Sequence, residues 1–272
     1  MSQIQPERQR VDDPDSVPGS VPGAFARAAA WLRQALLGNL TPPRGPGDKL
    51  EAAKLAAILL MVADHVLYAL PEPWQSTGYL IGRPCIPIFV FIIVTRLAQG
   101  GPQGMAQAGP ERSLRMLARL LLWGVVAQPI YYWLGGGFTL KLNVLLTLAI
   151  GVALTYCVST ARYVWAALIV APLPFVFDYL DGAATPVAMA AGWLLFRRSQ
   201  TAALALVVVA ATIENLLSPP LDWAGAAATL AAVPIVLLSP RLAAGAPRLP
   251  GIVFYAFYPV HLLAILLLLG PD

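Results

Sequence analysis

The sequence predicts an all-α protein: a polytopic membrane helix bundle of about nine transmembrane helices with a disordered N-terminal tail. Of its 272 residues, 58% are hydrophobic and 12% are charged, whereas soluble domains carry about 25% charged residues. Apolar runs recur at close to the ~20 residues that a helix needs to cross a bilayer. The two cysteines, Cys85 and Cys157, lie in apolar surroundings without metal-ligand spacing. We therefore expect buried thiols, no disulfide framework and no metal site.

The first part of the chain differs from the rest in composition. Residues 1–47 are rich in Pro, Gly and Asp, which predicts a disordered or linker-like tail before a membrane domain at 48–272. Within the tail, residues 24–38 have helical periodicity. This pattern fits an amphipathic helix on the membrane surface or a short soluble helix. No apolar segment of the signal-peptide type follows the basic residues, so we expect an uncleaved N-terminus in the cytoplasm.

Nine apolar segments follow the tail and are the candidate spans. They cover residues 52–70, 78–98, 114–134, 143–160, 162–178, 183–196, 201–218, 223–239 and 251–269. With the N-terminus inside, every Lys and Arg except Arg83 and Lys141 falls on the cytoplasmic side. Cytoplasmic loops normally hold this excess of basic residues. The distribution predicts an N-in, C-out membrane protein, without a nucleic-acid partner.

The first segment carries an Asp-His pair deep in an apolar run, at Asp64 and His65. An aspartate within a span costs about 2.5–3.5 kcal/mol on insertion scales, so such a residue indicates a functional site. Lys54, Met61, His65 and Tyr68 share one side of the helix, which should face protein or a wet cavity. The alternative is a buried pair that only fixes helix packing.

An arginine opens the second segment. Arg83 is followed by Pro84 and Pro87, which predicts a stiff and non-ideal helix start. Arg83 would either pair with Asp64 or extend its guanidinium to the membrane interface.

Three arginines begin the third segment, at Arg112, Arg115 and Arg119. Their i, i+3, i+7 spacing predicts a basic stripe at the cytoplasmic mouth of the bundle. Guanidinium groups match the geometry of phosphate oxygens, so the stripe predicts a phosphate site. The alternative is a charge signal that only sets membrane orientation.

Two further groups of polar residues lie within spans. Asn143, Thr147 and Gly151 share a face of the fourth segment, and close helix packing is favoured over a ligand-facing polar strip. In the last segment Tyr258 and His261 lie near a proline. A proline in a span is typical of a bend that faces protein or a cavity. By itself, His261 is interpreted as a satisfied packing residue.

The order of these motifs resembles the TraX family of conjugation-associated membrane proteins. The family pattern has Met-x-x-Asp-His, Gly-Arg-x-x-x-Pro, Ser/Ala-Gln-x-Pro, Asn-Val-x-x-Thr and Tyr-Pro-x-His-Leu. This sequence has MVADH, GRPCIP, AQPIYY, NVLLT and YPVHL in the same order, with the proline of the third motif directly after its glutamine. The likeness covers residues 49–155 and 250–265 well and the middle poorly. The chain departs from the pattern where Cys85 and Ile86 replace an aromatic residue, and in its long Pro-rich tail.

The resemblance implies an enzyme. TraX is associated with N-terminal acetylation of the conjugative pilin subunit, and the family is similar to transmembrane acyltransferases that use acetyl-CoA, a first-span His and cytoplasm-side Arg residues. It implies acetyl-CoA as co-substrate, and pilin and the lipid bilayer as partners. The implied site has catalytic His65 and Asp64, cofactor-binding Arg112, Arg115 and Arg119, and supporting Arg83, Asn143, Tyr258 and His261.

Residue pattern and resemblance lead to one mechanism. The arginines would hold the phosphates of acetyl-CoA while its pantetheine arm enters the bundle, and His65 would deprotonate the acceptor amine, a contribution of about 10²–10⁴-fold. Asp64 lies about 100° from His65 on the helix, so it would anchor Arg83 rather than orient His65. Two rivals are a non-catalytic membrane chaperone or scaffold for pilin and a proton-coupled small transporter, although no inverted repeat is visible.

Overall fold

The computed structural model describes residues 49–99, 109–134, 141–217, 222–243 and 249–270, together with Ala26, Ala29, Ala30 and Arg33. Within these residues the regular structure is helical, apart from an isolated bridge between Leu142 and Leu180. The predicted all-α class is confirmed. Most of the tail and of its predicted amphipathic helix at 24–38 lies outside the described residues; the four tail residues that are described are helical and exposed.

The helices follow one another with short connections. In chain order they are α1 (Glu51–Tyr68), α2 (Trp74–Gly82), α3 (Cys85–Ala98), α4 (Gly109–Leu134), α5 (Val144–Ser159), α6 (Tyr163–Val170), two 3₁₀ turns (Leu173–Phe175 and Phe177–Tyr179), α7 (Thr185–Phe196), α8 (Gln200–Leu217), α9 (Trp223–Thr229), α10 (Ala232–Leu242) and α11 (Gly251–Leu269). Each of the nine predicted segments coincides with one helix or with two consecutive helical pieces.

Several helices have the length and composition of membrane spans. Within the described ranges, four stretches are long and apolar enough to cross a membrane, and three shorter apolar helices accompany them; the four are Trp74–Ala98, Gln200–Leu217, Trp223–Leu242 and Gly251–Leu269. Large apolar side chains also face outward, with Leu268 82% and Val164 74% exposed. Extended apolar surface of this kind is rare on soluble monomers. The chain is therefore a multi-pass membrane protein, whereas nine crossings and the N-in orientation stay predictions.

The second predicted span differs from expectation at its start. The span was expected to begin at residue 78 with an outer loop before it, but the helix α2 already begins at Trp74. The helical path breaks between α2 and α3 at Arg83 and Pro84, because proline has no backbone N–H to donate to the preceding turn. Arg83 consequently lies at a junction between two helices and not at the start of one.

Two glycines allow α1 and α2 to pack closely. A Cβ atom added to Gly78 would lie 2.6 Å from the Cβ atom of Leu67, and one added to Gly82 would overlap the carboxyl group of Asp64. Small residues four apart are the usual means of close helix approach in membranes. The contact directs the Asp64 side chain towards α2.

The core lies where α3, α5, α7 and α8 meet. Its most buried side chains include those of Ile88, Val94, Val152 and Met189. Cys85 and Cys157 are buried and free, which confirms the expectation of unpaired core thiols. On one side of this core α4 packs between α5 and α11, and on the other α1 packs on α2 and α3. This arrangement brings α1 and α11, the first and last described helices of the bundle, into contact.

Candidate active site

Two histidines meet between α1 and α11. The Nδ1 atom of His65 lies 3.0 Å from Nε2 of His261, and Nδ1 of His261 lies 3.0 Å from the carbonyl oxygen of Phe257. His261 lies one turn after Phe257 on α11, so the helix itself supplies this acceptor. The two imidazoles, 196 residues apart in the chain, therefore form one hydrogen-bonded unit.

The hydrogen bonds assign the protons of the neutral pair. A carbonyl oxygen only accepts, so Nδ1 of His261 carries a proton and donates to Phe257. Nε2 of neutral His261 then accepts, and Nδ1 of His65 donates to it. A neutral His65 with its proton on Nδ1 presents an unprotonated Nε2, which is the state required of a general base.

Aromatic rings surround the pair. Phe257 stacks on His261 with centroids 5.0 Å apart and an interplanar angle of 11°. Tyr258 lies edge-on to both imidazoles, with centroids 6.1 Å from His65 and 5.5 Å from His261. These contacts limit rotation of the two rings, so their hydrogen bond keeps one geometry. They also exclude most solvent from His261, which is buried.

A cavity of about 520 Å³ ends beside this pair. One end, which we call the basic end, is lined by Lys54, Arg96, Arg112, Arg119 and Glu51. The other end is lined by Met61, one turn before His65, and by Tyr258. The walls between the two ends are mainly apolar, with the side chains of Phe89, Ile92, Met116, Leu120, Leu145 and Leu148. His65 does not itself line the cavity, which stops within one helical turn of it.

The basic end has more positive than negative charge. Lys54 donates to the buried carboxylate of Glu51 over 2.6 Å, and Arg96 lies 3.9 Å from the same oxygen. The second carboxylate oxygen of Glu51 is buried without a hydrogen-bond partner. Four cationic side chains face one carboxylate, so this end of the cavity suits an anion.

The structure separates the members of the predicted arginine stripe. Arg112 and Arg119 line the cavity. Arg115 instead turns along α4, where its Nε donates to the Glu111 carbonyl oxygen over 3.3 Å and its NH2 group lies 4.0 Å from the Glu111 carboxylate. On a helix, positions i and i+7 lie about 20° apart, whereas i+3 is displaced by about 60°. The expected single stripe is therefore wrong in its middle member.

Sequence reasoning did not select two cations of the basic end. Lys54 was recognised only as a polar residue on the His65 side of α1, and Arg96 only as a cytoplasmic charge. The missed signal for Arg96 is its place in the last turn of α3, level with the start of α1, where it reaches Glu51.

Asp64 and Arg83 lie outside this cavity and do not pair as expected. Arg83 donates to the Asn215 side chain over 3.2 Å and to the Tyr79 carbonyl oxygen over 3.3 Å, and it stacks on the Tyr79 ring at 3.9 Å. Among the described residues no hydrogen bond or ion pair joins Asp64 to Arg83 or to His65. The reason is the α1–α2 packing, which holds Asp64 against Gly82.

The hydrogen bonds of Asn143 indicate a structural role. Its Oδ1 accepts from the amides of Leu145 and Leu146 at the start of α5, and its Nδ2 donates over 2.8 Å to the Gly124 carbonyl oxygen and the Gln128 side chain. The residue is fully buried. Asn143 thus caps α5 and ties it to α4, as the packing interpretation of this segment expected.

Comparison with protein families places the whole membrane domain in one group. The model of the family described as "TraX protein" matches residues 49–269. Searches of curated proteins and of solved structures find no match. The matched region runs from the start of α1 to the end of α11 and contains both histidines and the complete cavity. The chain therefore belongs to the TraX protein family.

Proposed function

We propose that the chain is a membrane acetyltransferase that moves an acetyl group from cytosolic acetyl-CoA to the N-terminal amine of a conjugative pilin subunit. Its family is known as the F-pilin acetylation protein. The observation that carries the proposal is the cavity that runs from a cationic end to Met61 and Tyr258, one helical turn from the His65–His261 pair. An anionic carrier with a thin reactive arm is the kind of donor that fits such a shape.

The basic end would hold the phosphates of the donor. Arg112, Arg119 and Arg96 line it from α4 and α3, and guanidinium groups bind phosphate oxygens through two parallel hydrogen bonds. The predicted topology places this end at the cytoplasmic face, where acetyl-CoA is available. The apolar walls would accept the pantetheine arm, which carries the thioester towards Met61 and Tyr258.

The Met61 side chain lies at the end of the cavity, one helical turn before His65. A methionine side chain is unbranched and adopts several rotamers at low cost. Its movement would connect the cavity to the His65 ring without a change in the helices. Because Met61 and His65 lie one turn apart on the same face of α1, the thioester would then lie beside the imidazole.

His65 would act as the general base. The acceptor amine attacks the thioester carbonyl carbon, a C–N bond forms, and Nε2 of His65 takes the amine proton. The C–S bond then breaks, and the imidazolium returns that proton to the departing thiolate, which leaves as free coenzyme A. His261 holds His65 in the tautomer that this sequence needs. The products are an acetylated amine and a thiol, and His65 is regenerated.

The test is the mass of the resident pilin. Pilin from cells with the wild-type protein should carry one acetyl group on its N-terminus, and pilin from cells with His65→Ala should not. Purified protein should also consume labelled acetyl-CoA only when pilin is present. Unmodified pilin with the wild-type protein, or acetylated pilin with a folded His65→Ala variant, would overturn the proposal. A scaffold would transfer no label, and a transporter would consume no thioester.

A further inference from the structure

The hydroxyl group of Tyr258 is buried in the cavity without a protein partner. Tyr258 is 1% exposed, it lines the cavity end beside the histidine pair, and its oxygen makes no hydrogen bond. A buried polar group without a partner costs stability, and most buried side-chain polar atoms in proteins are satisfied. Phenylalanine would fill the same space without that cost, so the hydroxyl suggests an interaction with a bound molecule.

The start of α5 lies beside this hydroxyl. Asn143 caps the amides of Leu145 and Leu146, and the first amide of the helix, that of Val144, lies near the Tyr258 oxygen without a hydrogen bond to it. The phenolic O–H group has no acceptor in the described protein, so it can donate to a bound molecule. Helix N-termini also favour negative charge through their unpaired amides and the helix dipole.

We propose that Tyr258 is a catalytic residue that donates a hydrogen bond to the thioester carbonyl oxygen. As the amine nitrogen bonds to the carbonyl carbon, the π electrons of the C=O bond move to that oxygen. The Tyr258 O–H group, with the Val144 end of α5 behind it, stabilises the oxyanion. When the C–S bond breaks, the C=O bond re-forms and the proton stays on Tyr258 throughout. This inference rests on the proposed acetyl transfer at the same cavity.

The test is Tyr258→Phe in the purified full-length protein with acetyl-CoA and pilin. Removal of one oxyanion donor lowers kcat by about 10²–10³-fold, and we expect this loss with little change in KM for acetyl-CoA. The pH profile should keep its shape, because His65 remains the base. The melting temperature should stay the same or rise, since the deleted hydroxyl has no protein partner.

Thr147→Val is the matched control. The Thr147 hydroxyl is also fully buried without a partner, in the first turn of α5, but it does not line the cavity. The control variant should keep wild-type kcat. S-ethyl coenzyme A, which lacks the carbonyl oxygen, should bind wild-type and Tyr258→Phe proteins equally, since the donor site is intact in both.

Three results would overturn the inference: full kcat in Tyr258→Phe, loss of kcat together with a lower melting temperature, or an equal loss in Thr147→Val. Failure of the proposed function looks different, because His65→Ala would then retain activity. If His65 is required and Tyr258→Phe is fully active, only the role of Tyr258 is lost.

Discussion

Two buried polar groups at the start of α5 differ in their hydrogen-bond partners. Asn143 satisfies its side chain with the backbone and with Gln128. Beside it, the Tyr258 hydroxyl faces the cavity without a hydrogen-bond partner. Buried polar groups are normally paired. The difference indicates that Asn143 holds helices together, and it supports the proposal that a ligand completes the hydrogen bonding of Tyr258.

Substitution of His65 should have the largest effect on activity. His65→Ala removes the proposed base, and general-base catalysis contributes about 10²–10⁴-fold, so kcat should fall by that factor. The protein should still insert and elute as a single species in detergent, which is the control for folding. The rate is measured from the release of coenzyme A in a discontinuous assay.

Chemical rescue of the same His65→Ala variant separates the loss of the base from a change in the geometry of the site. Added imidazole should restore part of the activity of His65→Ala, because the cavity reaches within one turn of the vacated position. Full activity in a folded His65→Ala protein, without imidazole, would remove this residue from the mechanism.

Substitution of Asn143 should affect stability rather than chemistry. Asn143→Ala deletes an N-cap, which costs about 1 kcal/mol, and removes the side-chain donor to the buried Gly124 carbonyl oxygen, at about 1–3 kcal/mol. We expect a total loss of about 2–4 kcal/mol in the free energy of unfolding, seen as a lower melting temperature in detergent.

The comparison with Thr147→Val sharpens this result. Thr147 lies one turn further along α5 and its hydroxyl has no partner, so its removal should leave the melting temperature within error of the wild type. Equal melting temperatures for Asn143→Ala and wild type would show that the satisfied network contributes nothing to the fold.

Substitution of His261 should lower activity because His261 fixes the tautomer of His65. His261→Phe keeps ring volume but leaves the Nδ1 proton of His65 without an acceptor, and kcat should fall by about 10–100-fold, a loss of about 1.4–2.7 kcal/mol in transition-state stabilisation. His261→Gln offers an amide oxygen near the position of Nε2, so it should recover much of that loss. If both variants lose the same activity, the acceptor role of His261 is wrong.

The sequence predicts the helical segments and their polar residues well, because period and hydropathy are local properties. It fails where partners are distant in the chain. His261 was interpreted as a packing residue, since nothing in either segment shows that α1 and α11 meet. The same limit explains the expected Asp64–Arg83 pair: the two residues are near each other, but close glycine packing at Gly82 and the Asn215 amide decide where each side chain goes.

The remaining difference between the sequence prediction and the structure is the helix α2. The stretch before Arg83 contains Pro, Ser and Gly and is typical of a loop, yet it forms α2 because its two glycines fit against α1. A single sequence does not reveal that fit. The arginine stripe shows the opposite case, since helical geometry alone already separates Arg115 from Arg112 by about 60° and from Arg119 by about 40°.

The smallest effect should come from the arginines, and it tests which of them face the ligand. Arg112→Ala and Arg119→Ala each remove a cation from the cavity lining, and a hydrogen bond to a charged group contributes about 1.5–3 kcal/mol. Solvent exposure of these arginines at the cavity mouth reduces that contribution, so we expect KM for acetyl-CoA to rise about tenfold, equivalent to about 1.4 kcal/mol.

Arg115→Ala is the matched comparison, because this side chain is on the same helix and contacts Glu111 instead. Its KM should change less than either of the others, and higher salt should reduce the difference. A larger effect of Arg115→Ala would restore the uniform stripe that the sequence predicts and would place the phosphates outside the cavity.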